Sequence, residues 1–418
     1  MIKTPFSQQD ADILRRLAER KARIAQDPVN QERKRLWYQL DEGVPDRPLI
    51  LAEGLAVSDK AHPILTQPPQ CEDENARSLE RRLRTEIGQF ETLRDDHVVE
   101  PWICCGWSVQ SGDYGVEIVR HKGDNDGHMG SQSWDPPILD LDRDFAKLQP
   151  RSFSVDREAT LAKKEALEAV FGGILPVIVR GGFWWTFGMT WRAIELVGLE
   201  NLMLYMMDNP EGVHRLMAFL RDDHLAFARW LEKEGLLTLN NGNDYIGSGS
   251  IGYTRQLPQA GLPEGSPARM KDLWLLLESQ ETVGVGPAQF EEFIFPYQRD
   301  LAAEFGRVYY GCCEPVHNRW PIVKRIPNLA RVSVSPWCDQ EFMARELGRD
   351  YVFSRKSSPT LISTGNFDEA AIRADLRKTL EAARGCRLEI IMKDVHTLNE
   401  EPGRLARWVE LARAEIGA

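Results

Sequence analysis

The sequence predicts an α/β protein: a (β/α)8 TIM barrel with an N-terminal helical extension and an insertion near residues 108–160. Three observations lead there. Short apolar runs alternate with amphipathic helical patterns about eight times, as in a parallel sheet whose crossovers are helices. Eight such pairs over roughly 250–350 residues suit a closed barrel better than an open sheet. The 418 residues leave room for one barrel and its additions. The expected organisation is a helical arm over residues 1–45 and a barrel over residues 46–418. There is no internal repeat and no low-complexity segment.

Each element has its own reason. Residues 7–36 read as helix, with Ser7 and Asp10 as a capping box and Ile13, Leu14, Leu17 and Ile24 at helical spacing. Their high charge predicts a surface or subunit-contact element, not core, which makes a homodimer possible. RPLILAE (47–53) reads as a strand and SLERRLRTEIGQFETLRDD (78–96) as a helix. VVEPWICCGWS (98–108) and ILPVIVRGG (174–182) read as strands. The turn-rich stretch between them reads as an insertion holding a hairpin. Within it, HKGDNDGH (121–128) lacks the ligand positions of an EF-hand and reads as a solvated loop. NPEGVHRLMAFLRDDHLAFARWLEKEG (209–235) is a long helix with Val213, Leu216, Leu220, Phe227 and Leu231 on one face and Gly235 as its C-cap. LLTLNNGNDY, DLWLLLES, RVYYGCC, ARVSVSP, TLISTG and RLEIIMKD are the later strand candidates. FEEFIFPYQRDLAAEFG, QEFMARELGRD, DEAAIRADLRKTLEAARG and EPGRLARWVELARAEI are the helices among and after them.

Composition narrows the class. Apolar content of 42% and charged content of 28% are those of a soluble globular chain. No apolar run is long enough to span a bilayer, and the first residues lack the apolar core of a signal peptide. A cytoplasmic protein is expected. The net charge of −11 argues against nucleic-acid and anionic-membrane partners. Seven cysteines, four of them in two adjacent pairs, point to packing, metal binding or redox chemistry rather than to a disulfide framework.

In a barrel of this kind the reactive side chains follow the C-terminal ends of strands. That rule selects Trp184 and Trp185; Asp244 and Tyr245; Glu278; Cys312, Cys313, Glu314 and His317; Trp337 and Cys338; and Lys393 and His396. Cys313, Cys338 and His396 follow three late strands and would meet at one mouth. Sulfur and imidazole ligands select zinc, and three ligands with an open fourth position make a catalytic site. Taken singly, each cysteine also reads as a small buried hydrophobe. Cys104 and Cys105 read as packing; Cys71 and Cys386 read as incidental. Because a strand alternates faces, Cys312 and Cys313 should not both point inward without a bend. The aromatic run FWWTFGMTW (183–191) is either a packed lid or the wall of a pocket, and Asp244 sits in a loop too polar for a core.

Over residues 170–418 the pattern resembles the uroporphyrinogen decarboxylase superfamily. The resemblance rests on MDNPEGVHRLMAFLRDDHLAFARWLEKEG followed by NNGNDY, on SQETVGVGPAQFEEFIFPYQRDLAAEFGRVYYGCCEP, and on IIMKDVHTLNEEPGRLARWVELAR. It implies the same (β/α)8 barrel. The Arg-rich motif of the true decarboxylases, of the form RQAGRY, is absent. The resemblance is therefore closer to the zinc-dependent, cobalamin-linked methyltransferases, whose ligands are the His and Cys of an H-x-C element and a late cysteine. That Cys falls on Cys313, its His falls on Gly311, and the late position falls near His396. Cys338 lies where the related methionine synthase barrel places an intermediate ligand, and Cys312 or Glu314 could add another. The resemblance implies a zinc-dependent methyltransferase that moves a methyl group between a small O-, N- or S-compound, or a thiol, and methylcobalamin carried by a separate corrinoid protein. Asp244 and Glu278 would handle protons and orient the substrate, with Trp184, Trp185, Tyr245, Trp337 and His317 lining the pocket. The alternatives are a metal-free decarboxylase-like lyase using Arg180, Lys356 and Lys393 on a carboxylated substrate, and a non-catalytic binding protein on a degenerate barrel.

Overall fold

The computed structural model describes residues 6–43, 45–54, 57, 62–123, 132–263 and 265–417. Residues 124–128 of the HKGDNDGH loop therefore lie outside the described residues. The architecture is mixed α/β around a parallel sheet of six strands. These are β1 (Leu49–Ala52), β2 (Trp274–Leu277), β3 (Arg307–Tyr310), β4 (Leu329–Val334), β5 (Val352–Ser357) and β6 (Arg387–Met392), in the order β1-β6-β5-β4-β3-β2.

Strand pairing among the described residues does not run round a closed barrel of eight. The expected strands at 98–108 and 174–182 form as Ile103–Gly106 and Val177–Arg180, and they pair with each other. Residues 236–240 form no strand. There the Asn240 side chain replaces a ladder: its Oδ1 accepts from Trp274 N at 2.8 Å and its Nδ2 donates to Trp274 O at 3.0 Å. TLISTG is also corrected, because Thr360–Ser363 is a helical turn and the strand is Val352–Ser357 just before it. That strand was hidden by its polar residues. Arg355 and Lys356 are buried in it, and Arg355 Nη2 donates to Asp375 Oδ1 at 3.0 Å.

The chain divides into two compact units, one of residues 1–108, 156–181 and 355–418, the other of residues 109–155 and 182–354. In the first, β1 pairs with β6 in parallel register, Ala52 opposite Met392. The helix expected over 7–36 is two helices, α1 (Gln8–Ala25) and α2 (Pro28–Glu42). The break is local chemistry: Pro28 starts α2, and Asp27 caps it by accepting from Val29 N at 2.8 Å. Ser7 caps α1 through Asp10 N, but the Asp10 carboxylate does not close a capping box. It accepts from Glu72 N and Asp73 N instead.

The arm is core, against expectation. Ile13, Leu14 and Ala18 pack with Leu83 of α3 (Glu74–Gly88), with Val170 and Phe171 of α4 (Arg157–Phe171), and with Cys71, Ile103 and Cys105. Arg15 caps the end of α4 by donating to Val170 O and Ala169 O. Most charges of α1 stay exposed or partly exposed, the buried Asp10 and Lys21 are paired, and its apolar stripe needed a partner. Replacing the fully buried Leu14 by alanine should cost about 2–5 kcal/mol, as core truncations do. Urea unfolding measures this, and a change within about 0.5 kcal/mol, the range of surface substitutions, would return α1 to the surface.

In the second unit, β2, β3 and β4 pair in parallel order. The long helix is α5 (Pro210–Lys233), begun by Pro210 and capped by Asn209, whose Oδ1 accepts from Gly212 N at 2.9 Å. Its expected apolar face, Val213, Leu216, Leu220, Phe227 and Leu231, is buried. The insertion contains the expected hairpin, Val119–Lys122 against Gln132–Asp135.

Candidate functional site

The site in the second unit is built where β2 and β3 end. Tyr310 closes β3, and Gly311 turns the chain with φ +96°. Its N–H still donates to Leu277 O at 2.8 Å, so the turn is fastened to the end of β2. The turn answers the alternation argument. Cys312 and Cys313 lie beyond the strand, and their Sγ atoms are 3.7 Å apart. Cys312 is buried and Cys313 exposed. The turn also explains why this position is a glycine. A Cβ at Gly311 would meet Val316 Cγ2 at 3.0 Å and Ser333 Cβ at 3.2 Å, in a left-handed backbone that side chains avoid.

Glu314 braces this turn. Its Oε1 accepts from Ser279 N at 2.9 Å and its Oε2 from Cys312 N at 2.8 Å. The two loops after β2 and β3 are thus tied by one buried carboxylate. Glu278, directly after β2, is fully buried. Its Oε2 accepts from Gln280 N at 3.0 Å, and its Oε1 has no hydrogen-bond partner. Burial, and next the negative fields of Glu281 and Glu314, push its carboxyl well above the usual range, so the neutral acid is favoured. Glu281 is held by Thr190, whose hydroxyl donates to Oε2 at 2.6 Å. Gln298 fixes the backbone by donating to Glu278 O at 2.8 Å and Gly188 O at 3.0 Å. A side chain at Gly188 would clash with the Glu278 carboxyl.

The other selected residues divide. Cys338 is buried, its thiol donating to Glu314 O at 3.9 Å and lying 3.6 Å from Ser335 Oγ. Burial pushes that thiol up. His317 Nδ1 accepts from Asp339 N at 3.3 Å, and its ring packs on Phe342. Trp184 sits in an aromatic cluster with Phe187, Phe227 and Phe305, whereas Trp185, Tyr245 and Trp337 are exposed, Trp337 at 73%. Asp244 is half-buried before a two-strand turn, its carbonyl accepting from Gly252 N. His396 is exposed in the loop after β6 and belongs to the first unit. Among the described residues, no three His, Cys, Asp or Glu side chains gather as a metal-binding group.

A methyltransferase from Methanosarcina mazei is similar in structure at 14% identity, over 73% of this chain and 77% of that one, with a TM-score of 0.42. No protein-family model matches the chain, and no curated protein matches it significantly. No described helix is long and apolar enough to cross a membrane.

Sequence reasoning missed the parts that do not follow a strand directly. Arg319 donates to Ser279 Oγ at 3.0 Å, to Thr282 O and to Val285 O, and lies over the Phe290 ring. Ser279 Oγ and Tyr310 OH share a hydrogen bond of 3.0 Å. Together these groups hold the floor beneath Glu278 and Glu314. Glu281 was also missed, although a glutamate three positions after Glu278 was a readable sign of like-charge crowding.

Proposed function

We propose that the chain is a methyltransferase of the uroporphyrinogen decarboxylase-like barrel type. It exchanges a methyl group between a small O-, N- or S-compound, or a thiol, and a corrinoid carried by a separate protein, with Cys312 and Cys313 as two of the ligands of a zinc ion. The observation that carries the reading is the thiol pair. Two thiolates on one tetrahedral zinc at ~2.3 Å stand about 3.8 Å apart, and these sulfurs are 3.7 Å apart. The unpartnered Glu278 Oε1 is the kind of orphaned atom an incoming ligand satisfies. Sequence likeness over residues 170–418 supports the same chemistry. Zinc, when bound, supplies a Lewis acid for the substrate heteroatom.

The chain's own residues do the rest. Glu314 fixes the backbone of Cys312 and Ser279. Glu278, favoured in its neutral form, holds a proton for the heteroatom that loses its methyl group, and takes it back in the reverse direction. Substrate and partner would reach the thiol pair through the exposed Cys313.

Metal content decides the reading. Protein purified without chelator should contain about one zinc per chain, and Cys312→Ser and Cys313→Ser should lose it while keeping the wild-type circular dichroism. Folded wild type that takes up no zinc even when it is supplied would end the proposal.

A further inference from the structure

We infer that Ser248 is a positioning residue of the thiol site: its hydroxyl donates to the Cys312 sulfur and sets how firmly that sulfur holds zinc. The inference rests on the zinc reading above and adds a third segment of chain to the site. Ser248 stands at the tip of a short hairpin, Tyr245–Gly247 against Ser250–Ile251. Its Oγ lies 3.8 Å from Cys312 Sγ, with the hydroxyl as donor.

The tip is placed by its neighbours. Connecting loops normally run over the surface, yet this one is turned inward, with Ser248 and Ser250 fully buried. Arg331 of β4 clamps the second strand of the hairpin, its Nη1 donating to Ser250 Oγ and, at 3.0 Å, to Ile251 O. Ile246 packs in one cluster with Leu276 of β2 and Tyr309 of β3. At Gly247 the fit is closest: a Cβ there would stand 2.5 Å from Tyr309 Cδ1 and 2.8 Å from Leu276 Cδ1. The hairpin is therefore pressed against the two strands whose ends make the site, and its tip reaches the first residue after the Gly311 turn.

The residue at the tip runs against its backbone. Ser248 has φ +45° and Gly249 φ +86°. Two successive positive φ angles belong to the tight I′ hairpin turn, which favours Asn, Asp or Gly first and Gly second. Glycine stands on both sides of Ser248, and a third glycine would adopt its backbone at less cost. Strain of this kind, held in place by packing, gathers at functional positions. What serine adds over glycine is a hydroxyl, and here it meets a sulfur. Cys312 is already fixed along its backbone, its N–H by Glu314 and its carbonyl by Ser333 Oγ at 2.8 Å. The Ser248 hydroxyl fixes the remaining part, the side chain. Groups that hydrogen-bond a metal ligand orient it and tune its strength as a donor. A hydroxyl donating to a thiolate also shares the charge that the sulfur carries.

The test loads chelator-treated protein with cobalt(II), because charge transfer from thiolate to cobalt gives an absorption band in the near ultraviolet. Ser248→Ala and Ser248→Gly are the variants. In both the band should move to longer wavelength, since a sulfur that has lost a hydrogen bond gives up an electron more easily. Zinc affinity, measured by competition with a chromophoric chelator, should weaken about tenfold. Urea unfolding of chelator-treated protein is the control for the fold. Ser248→Gly should match the wild-type midpoint or exceed it, because glycine relieves the left-handed backbone. If Ser248→Ala does not fold, Ser248→Gly decides alone. A serine with only a structural role would change stability and leave the band in place, so an unmoved band overturns the inference. Wild type that gives no thiolate band with cobalt ends the zinc reading and this inference with it, whereas a wild-type band that the substitutions do not move ends this inference alone.

Discussion

Glu314→Ala is expected to destabilise the protein by about 3–5 kcal/mol, because two buried backbone N–H groups lose their acceptor and each unsatisfied group costs about 1–3 kcal/mol. The groups are Ser279 N and Cys312 N, held by the two oxygens of one buried carboxylate. Glu314→Gln should cost roughly half as much, since a single amide oxygen can still accept from one of them. The experiment also separates two roles. As a brace, Glu314 loses stability and zinc together, because Cys312 is no longer placed 3.7 Å from Cys313. As a metal ligand, it would lose zinc with chelator-treated stability unchanged. Urea unfolding of chelator-treated protein, paired with metal analysis of untreated protein, distinguishes these outcomes.

Much of the fold was legible, and the failures have physical causes. Trp274–Leu277, apolar throughout, and Arg387–Met392, with its apolar run Ile390–Met392, announced themselves by composition. Val352–Ser357 did not, because a fully buried strand carrying Arg355 and Lys356 violates the composition rule and is sustained by tertiary partners such as Asp375. The residues after Leu236 read as a strand because they are apolar. Asn240 takes over the pairing with Trp274, a side-chain event that no periodicity reveals. The charge of α1 suggested a surface, yet charge density does not say whether the apolar stripe has a partner, and Leu14 has one. At the site, the strand-end rule found Glu278, Cys312, Cys313 and Glu314. It could not tell brace from ligand, because that difference lies in which N–H groups reach Glu314 across two loops.

Glu278→Gln should make chelator-treated protein more stable than wild type at pH 8 and no more stable near pH 4.5. The sign follows from the direction of the shift. Burial and the neighbouring carboxylates hold the folded-state pKa of Glu278 well above that of the unfolded chain. Between those two values the folded state binds more protons than the unfolded state, so stability falls as pH rises. The contribution is fully present below the unfolded pKa and is lost as pH passes through the folded one. Glutamine cannot ionise, and its NH2 can donate to the acidic neighbours that crowd the carboxylate. The advantage of the variant at pH 8 should reach on the order of 1 kcal/mol or more, since each unit of pKa difference is worth about 1.4 kcal/mol. Urea unfolding of both proteins across that pH range measures it. Parallel curves would mean that Glu278 is ionised in the folded state at neutral pH, and it could not then hold the proton the proposed reaction assigns to it. Diverging curves would establish a neutral buried acid beside the thiol pair. The same substitution should then lower turnover more than substrate binding, because the proton is needed only as the heteroatom parts from its methyl group.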